Sequence, residues 1–265
     1  MSRVELLISV LEQPNIEQLL YRMEVNSDAV ITNQADREAK EILEFRGHRI
    51  VSVTSPERGV GKSRNCCLEE SRDEIVLFAD QDMIYETGYA SSIEAEFDAH
   101  PEADMILFNV DIAEERRTFH NEAWKRVKWY NCGRYGAVTF AIRREKLLAT
   151  GVKYSLLFGG GAKYLAGEDS LFLKDLMDAG IKVYASPVTI GREAAGESTW
   201  FKGYDERFFH DRGVLYHFLY GRLATAWSLR FLLAHKAKLC KDISLSKAIS
   251  FMRDGIKEGR RERKC

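Results

Sequence analysis

The stretch Glu74-Ile75-Val76-Leu77-Phe78-Ala79-Asp80-Gln81-Asp82 decides the fold. A short apolar run ends in two carboxylates at positions i and i+2, which extended chain projects to the same side. If the run is one strand of a parallel sheet, Asp80 and Asp82 converge at its carboxyl end, where open α/β folds place their ligands. Two like charges held together need a cation. A divalent metal with oxygen ligands, which also holds a substrate phosphate, fits best. The same pattern also occurs as a plain solvated turn.

Outward from this strand the first half repeats one rhythm, Val- and Ile-rich runs separated by polar segments long enough for a helix. Strands are expected at Val4–Val10, Ala29–Thr32, Arg49–Thr54, Glu74–Ala79 and Met105–Val110. Helices are expected at Asn15–Met23, Ala35–Phe45, Gly61–Ser71 and Gly88–His100, which gives a β-α-β-α-β-α-β-α-β order. A charged, aromatic excursion from Glu114 to Arg134 then leads into a strand at Gly136–Arg143. Glu168–Ala179 reads as an amphipathic helix closed by Gly180, and Ile181–Ala185 as a strand. The chain from Arg212 to Ala234 is rich in Leu, Phe, Tyr and Trp, and Ser244–Arg261 reads as a basic helix. The expected organisation is a catalytic α/β domain over residues 1–205 and a helical, basic extension over 206–265.

Composition narrows the function. The 265 residues are 45% hydrophobic and 30% charged, with 39 basic against 40 acidic side chains, so disorder, collagen and coiled coil are excluded. A net charge of -1 argues against nucleic acid as a partner. The charge is divided unevenly: residues 236–265 carry 10 Lys+Arg against 4 Asp+Glu, which leaves 29 against 36 for the rest. A basic, aromatic-rich end on an acidic body suits peripheral contact with an anionic leaflet, or else a helix that completes the core. Five cysteines without a CxxC pair point to reduced thiols and a cytoplasmic location, with no zinc site and no secretion signal at Met1–Val10.

Three further segments carry chemistry. Ser55–Asn65, SPERGVGKSRN, has the look of a phosphate-binding loop, but Pro56 stands where that motif needs its first glycine. In its plainer form this segment is a turn and a helix start, with Lys62 and Arg64 in solvent. Gly159-Gly160-Gly161 followed by Gly167-Glu168-Asp169 resembles a closing loop leading to paired carboxylates, although acidic residues in a first turn also simply favour the helix dipole. Asp169 can accept a proton from a substrate hydroxyl if its partners keep it ionised. In Gly196–Tyr204, Trp200 and Tyr204 are suited to stacking on a sugar and Lys202 to meeting a diphosphate, or the aromatics are buried.

Taken in order, LLISVLEQ, SDAVITNQAD, ERGVGKSRN, FADQD, GED and STWFKGYDERFFHDRG resemble the family 2-like glycosyltransferases of bacterial surface-polysaccharide synthesis. The resemblance implies a GT-A, Rossmann-like α/β fold, a mostly parallel sheet flanked by helices with a C-terminal helical extension. It implies sugar transfer from a nucleotide-diphosphate donor, a UDP-sugar foremost, to a glycan or lipid-linked acceptor, with inversion and with Mn²⁺ or Mg²⁺. By position, Asp82 is then the metal ligand and Asp80 a donor or second metal contact. Asp169, beside Glu168, is the base. Asn33, Gln34, Arg64, Asn65 and Lys202 bind the donor, and Trp200, Gly160 and Gly161 the acceptor. Two departures stand out. Thr32-Asn33-Gln34 replaces an acidic pair that grips the nucleoside, and Ile190-Gly191-Arg192-Glu193 lacks a His, so Glu193 or Glu197 substitutes as third ligand, or phosphate and water complete the set. A nucleotidyltransferase of the same fold is the alternative, although Glu12-Gln13-Pro14-Asn15 lacks its glycine-rich basic loop; a non-catalytic sugar-binding partner subunit is another.

Overall fold

The computed structural model describes residues 2–112, 119–194 and 203–263. In chain order the elements are β1 (Val4–Leu11), α1 (Ile16–Arg22), β2 (Asp28–Gln34), β3 (Ala39–Phe45), β4 (His48–Ser55), α2 (Val60–Glu70) and β5 (Ile75–Asp80). There follow β6 (Met83–Tyr85), α3 (Tyr89–Ala99), β7 (Met105–Asp111), β8 (Lys125–Arg126), β9 (Phe140–Arg143), α4 (Arg144–Thr150) and α5 (Glu168–Asp178). The last are β10 (Val183–Glu193), α6 (Glu206–Tyr220), α7 (Ala224–Ala234), α8 (Lys236–Leu239) and α9 (Leu245–Glu262). The strands form one sheet in the order β3-β4-β2-β1-β5-β9-β7-β10-β6, with β8 paired to β10.

Strands β4, β2, β1 and β5 run parallel. They are buried on both faces, which is why their sequences read as unbroken apolar runs. Alternate residues serve two cores: Leu6, Ile8, Ile75 and Leu77 pack on the side of α1 and α3, whereas Leu7, Val76 and Phe78 pack on the side of α2 and α5. Their registered carboxyl ends bring Leu11, Gln34 and Ser55 to one edge, with Asp80 beside Ser9.

One expected helix, Ala35–Phe45, is a strand. β3 pairs antiparallel with β4 from Phe45 opposite His48 to Ala39 opposite Thr54. Arg46 and Gly47 between them both have positive φ, 52° and 80°, the conformation of a two-residue hairpin turn. The Ala, Glu and Leu residues here favour a helix locally, but β4 offers an open edge whose backbone groups need partners, and pairing satisfies both strands. Lys40, Glu41 and Glu44 are exposed and guard the resulting sheet edge. The strand expected at Gly136–Arg143 begins later, because Ala137–Thr139 forms a 3₁₀ turn and only Phe140–Arg143 enters the sheet, antiparallel between β5 and β7. The strand expected at Ile181–Ala185 continues to Glu193.

The C-terminal helices pack on the sheet domain through Val214, Leu215 and Leu219 of α6, which meet Phe158, Tyr164 and Leu171. Helices α6 and α9 approach backbone to backbone: a Cβ added at Gly255 would lie 1.9 Å from the His210 carbonyl, and one at Gly213 would lie 2.2 Å from that of Met252. Gly255→Ala must therefore push the helices apart, with an expected loss of about 1–3 kcal/mol in urea unfolding.

Candidate active site

Arg64 lies on the stripe of α2 that faces the sheet, one turn before the buried Cys67 and Leu68, so helical periodicity buries it. Asp80 ends β5 on the same face as Val76 and Phe78, by the two-residue period of the strand. Asp169 stands in the first turn of α5, on the side of Phe172, Leu173 and Leu176, where the helix N-terminus favours a carboxylate. These three placements meet at one point.

The Arg64 side chain is only 3% exposed and binds three carboxylates. Its Nη2 donates to Asp80 Oδ1 at 3.0 Å, and its Nη1 donates to Asp169 Oδ1 at 2.5 Å and lies 3.6 Å from Glu168 Oε1. The ring of Tyr154 covers the guanidinium at 5.1 Å. Asp169 Oδ2 accepts a second hydrogen bond, from the Ala137 N–H at 2.9 Å. Glu168 Oε2 accepts from the Gly167 N–H. Gly167 itself has φ of 122°, and a Cβ there would strike Leu215 of α6 at 2.5 Å. The C-terminal helices therefore back the carboxylates directly.

Burial drives the Asp169 carboxyl above its ordinary range, against the pull of Arg64 and the Ala137 N–H. Burial, then the neighbouring Asp169 charge, pushes Glu168 up to about 7, with Arg64 opposing. Burial would lower the Arg64 value, but the Asp169, Asp80 and Glu168 charges outweigh it and hold it well above the usual one. Because Glu168 stays protonated in the fold where the unfolded chain has released its proton, stability falls as pH rises from the ordinary carboxylate range to about 7. Glu168→Gln is expected to flatten that slope in urea titrations run at several pH values.

Among the described residues, the remaining sequence-derived candidates have partners inside the protein. Asn33 is buried, takes the Gln13 N–H at 3.0 Å and donates to the Gln13 carbonyl at 2.8 Å, which pins the loop after β1. Gln34 accepts from the Gly59 N–H at 2.7 Å and donates to the Val10 carbonyl. Asn65 clamps the backbone of Tyr154 with two hydrogen bonds. Gly160 accepts from the Val60 N–H at 3.0 Å, and Gly161 lies against Gly59, so the triple-glycine loop rests on the start of α2. Lys62 is exposed as expected, but Arg64 is not in solvent. Tyr204 packs edge-on against Phe208. Trp200, Lys202 and Glu197 lie outside the described residues.

Asp82 is exposed in the turn between β5 and β6, and its carbonyl accepts from the Ala194 N–H at 2.7 Å. Glu193 pairs in register with Met83, so the end of β10 runs beside the Asp80–Asp82 turn. Among the described residues no group of three or more His, Cys, Asp or Glu is gathered as a metal cage. Two carboxylates on one turn at the sheet edge still fit Mg²⁺ or Mn²⁺, since a hard cation of this kind is commonly held by one or two carboxylates plus substrate phosphates. No sequence signal marks Tyr154 or the Ala137 N–H; neither stands in a motif, and both are placed by packing.

A parallel sheet with carboxylates gathered at its carboxyl edge, carrying antiparallel strands β9 and β6, is the architecture of GT-A glycosyltransferases. Residues 4–152 match the family described as Glycosyl transferase family 2, and the chain belongs to that family of glycosyltransferases. A comparison with curated protein sequences finds no match. Among solved structures, the chain resembles residues 1–349 of TarS from S. aureus, in complex with UDP-GlcNAc. The TM-score is 0.68 at 14% identity, over 97% of this chain and 81% of that one. It also resembles the mannosyltransferase PcManGT from Pyrobaculum calidifontis in complex with GDP-Man and Mn²⁺, with a TM-score of 0.51 at 14% identity, over 98% of this chain and 75% of that one.

Proposed function

We propose that this protein transfers a sugar from a nucleotide-diphosphate donor, a UDP-sugar, to a hydroxyl of a glycan or lipid-linked acceptor in surface-polysaccharide synthesis, with inversion and with Mn²⁺ or Mg²⁺. The observation that carries this is the sharing of one guanidinium by Asp80, from the D-x-D turn, and by Glu168 and Asp169, from the GED segment. A donor-side and an acceptor-side carboxylate then border the same small volume. The UDP-GlcNAc and GDP-Man bound by TarS and PcManGT support a nucleotide-sugar donor, and the Mn²⁺ of the latter supports a metal.

In this reaction the acceptor oxygen bonds to the anomeric carbon while the bond from that carbon to the donor phosphate breaks. Asp169 takes the acceptor's proton, and attack from the face opposite the departing diphosphate inverts the anomeric centre. A raised Asp169 value makes it a stronger base than an ordinary carboxylate, provided it is ionised, and Arg64 favours the ionised form. Asp82 and Asp80 would hold the metal, with Glu193 beside them; when bound, the metal supplies charge neutralisation for the departing diphosphate. Asn33, Gln34 and Asn65 would line the donor pocket while fixing its loops through Gln13, Gly59 and Tyr154.

Incubation with a panel of nucleotide sugars and Mn²⁺ or Mg²⁺ is expected to release a nucleoside diphosphate and give a product of inverted anomeric configuration by NMR. Release of pyrophosphate would identify a nucleotidyltransferase instead. Asp82→Ala is expected to lower kcat by about 10²-fold or more, because several kcal/mol of charge stabilisation is at stake. Unchanged metal dependence in that variant would place the metal elsewhere.

A further inference from the structure

We propose that the outer face of α7 and α8, together with the neighbouring turn Lys128-Trp129-Tyr130, docks in plane on an anionic lipid bilayer. Ala224, Ser228 and Leu232 of α7 are buried against the protein, which turns the opposite side outward. On that side Leu223, Leu229 and Leu233 are 54%, 40% and 64% exposed. Trp129 and Tyr130 flank them at 45% and 55%, with Trp129 edge-on to Trp227 at 5.8 Å and Arg230 over Trp227 at 5.0 Å. Exposed Leu with Trp and Tyr at its margin is the composition of a surface that enters the headgroup boundary.

Charge selects the partner. The whole chain has 40 acidic side chains, yet residues 212–241 have none, while Arg212, Arg222, Arg230, Lys236, Lys238 and Lys241 lie in that stretch. An apolar face on a stretch that carries cations and no acidic side chain complements a negatively charged bilayer. It disfavours a second copy of the chain, because an isologous contact would set these cations against one another. A hollow of about 510 Å³ bordered by Leu233, Ala234, Lys236, Ala237 and Cys240 lies at the same place. No described helix is long and apolar enough to cross a membrane, so the geometry is one of lying on the surface.

The basic helix α9 does not provide this face. Its apolar residues Ala248, Met252 and Ile256 are buried, and its charges are mixed, with Glu258 and Glu262 on Lys163 and Asp254 on Lys257. The segment 129–137 joins the docking surface to the Ala137 N–H that holds Asp169, so a bilayer-borne acceptor would arrive beside the base. That last link rests on the proposed transferase reaction; docking itself does not.

Co-sedimentation of the full chain with vesicles of phosphatidylcholine, with and without phosphatidylglycerol, tests the proposal. Binding is expected only with phosphatidylglycerol and is expected to weaken with salt. Leu229→Glu with Leu233→Glu should weaken it at least about tenfold, and Arg230→Gln about fivefold. Arg253→Glu with Arg260→Glu, on exposed α9, should leave more than half of it. Tryptophan emission of the wild type should be quenched by brominated lipid, a readout that needs no variant. Failure of the wild type to bind, or loss of binding only in the α9 variant, would overturn the proposal. So would a dimer in sedimentation analysis that the α7 variant dissolves. Nucleotide-sugar turnover on a soluble acceptor, measured alongside, reports on the transferase separately.

Discussion

Asp169→Asn is expected to lower kcat by about 10²–10⁴-fold while leaving donor affinity nearly unchanged. The amide keeps the shape of the carboxylate and can still accept the Ala137 N–H that Oδ2 now takes at 2.9 Å. It cannot receive a proton. Because the loss is confined to chemistry, titration of a nucleoside diphosphate should give the same Kd for both proteins, and single-turnover transfer should separate them. A variant that retained the full rate would remove Asp169 from the role of base. Glu168→Gln provides the contrast: its carboxyl, at about 7, lies 3.6 Å from Arg64 and also meets the Gly167 N–H, so a much smaller kinetic effect is expected.

Arg64→Met is expected to be the most destabilising of these substitutions, by about 3–5 kcal/mol at neutral pH, because it keeps the volume and removes the counter-ion of a buried cluster. Asp80, Glu168 and Asp169 would then face one another without compensation. With the folded-state values of Glu168 and Asp169 raised further, these two carboxyls would hold protons that the unfolded chain releases. The deficit should therefore shrink as pH falls below the unfolded carboxylate range and grow as pH rises through neutrality. Urea unfolding across that range measures it. Arg64→Lys should recover only part of the loss, since one ammonium cannot reproduce the fork that reaches Asp80 through Nη2 and Asp169 through Nη1. Wild-type stability in Arg64→Met at neutral pH would show that the guanidinium does not balance these charges.

The two carboxylate motifs were legible because each follows from local pattern. Asp80 and Asp82 end an apolar run, and Glu168 and Asp169 begin an amphipathic helix after glycines. The role of Arg64 was not legible. It sits in a loop-to-helix segment where a basic side chain ordinarily faces solvent or a phosphate, and only the packing of α2 on β1 and β2 turns it inward, toward Asp80 of β5 and Asp169 of α5. Asn33 and Asn65 likewise occupy motif positions, but their amides satisfy backbone groups of Gln13 and Tyr154, partners that no spacing rule identifies. β3 reads as a helix in the sequence because its composition suits one, whereas its strand state depends on β4.

By itself the sequence determined the buried strands, most helices, the carboxylates at their ends and the uneven charge, since each is set by side chains within a few residues of one another. Tertiary structure alone decided that Arg64 joins Asp80, 16 residues away, to Asp169, 105 residues away. It also decided that α7, rather than the more basic α9, presents the apolar cationic face. The physical reason is the same in both cases: whether a charge or an apolar stripe is buried depends on what packs against it, and that partner is chosen by the order of the strands and the seating of the helices.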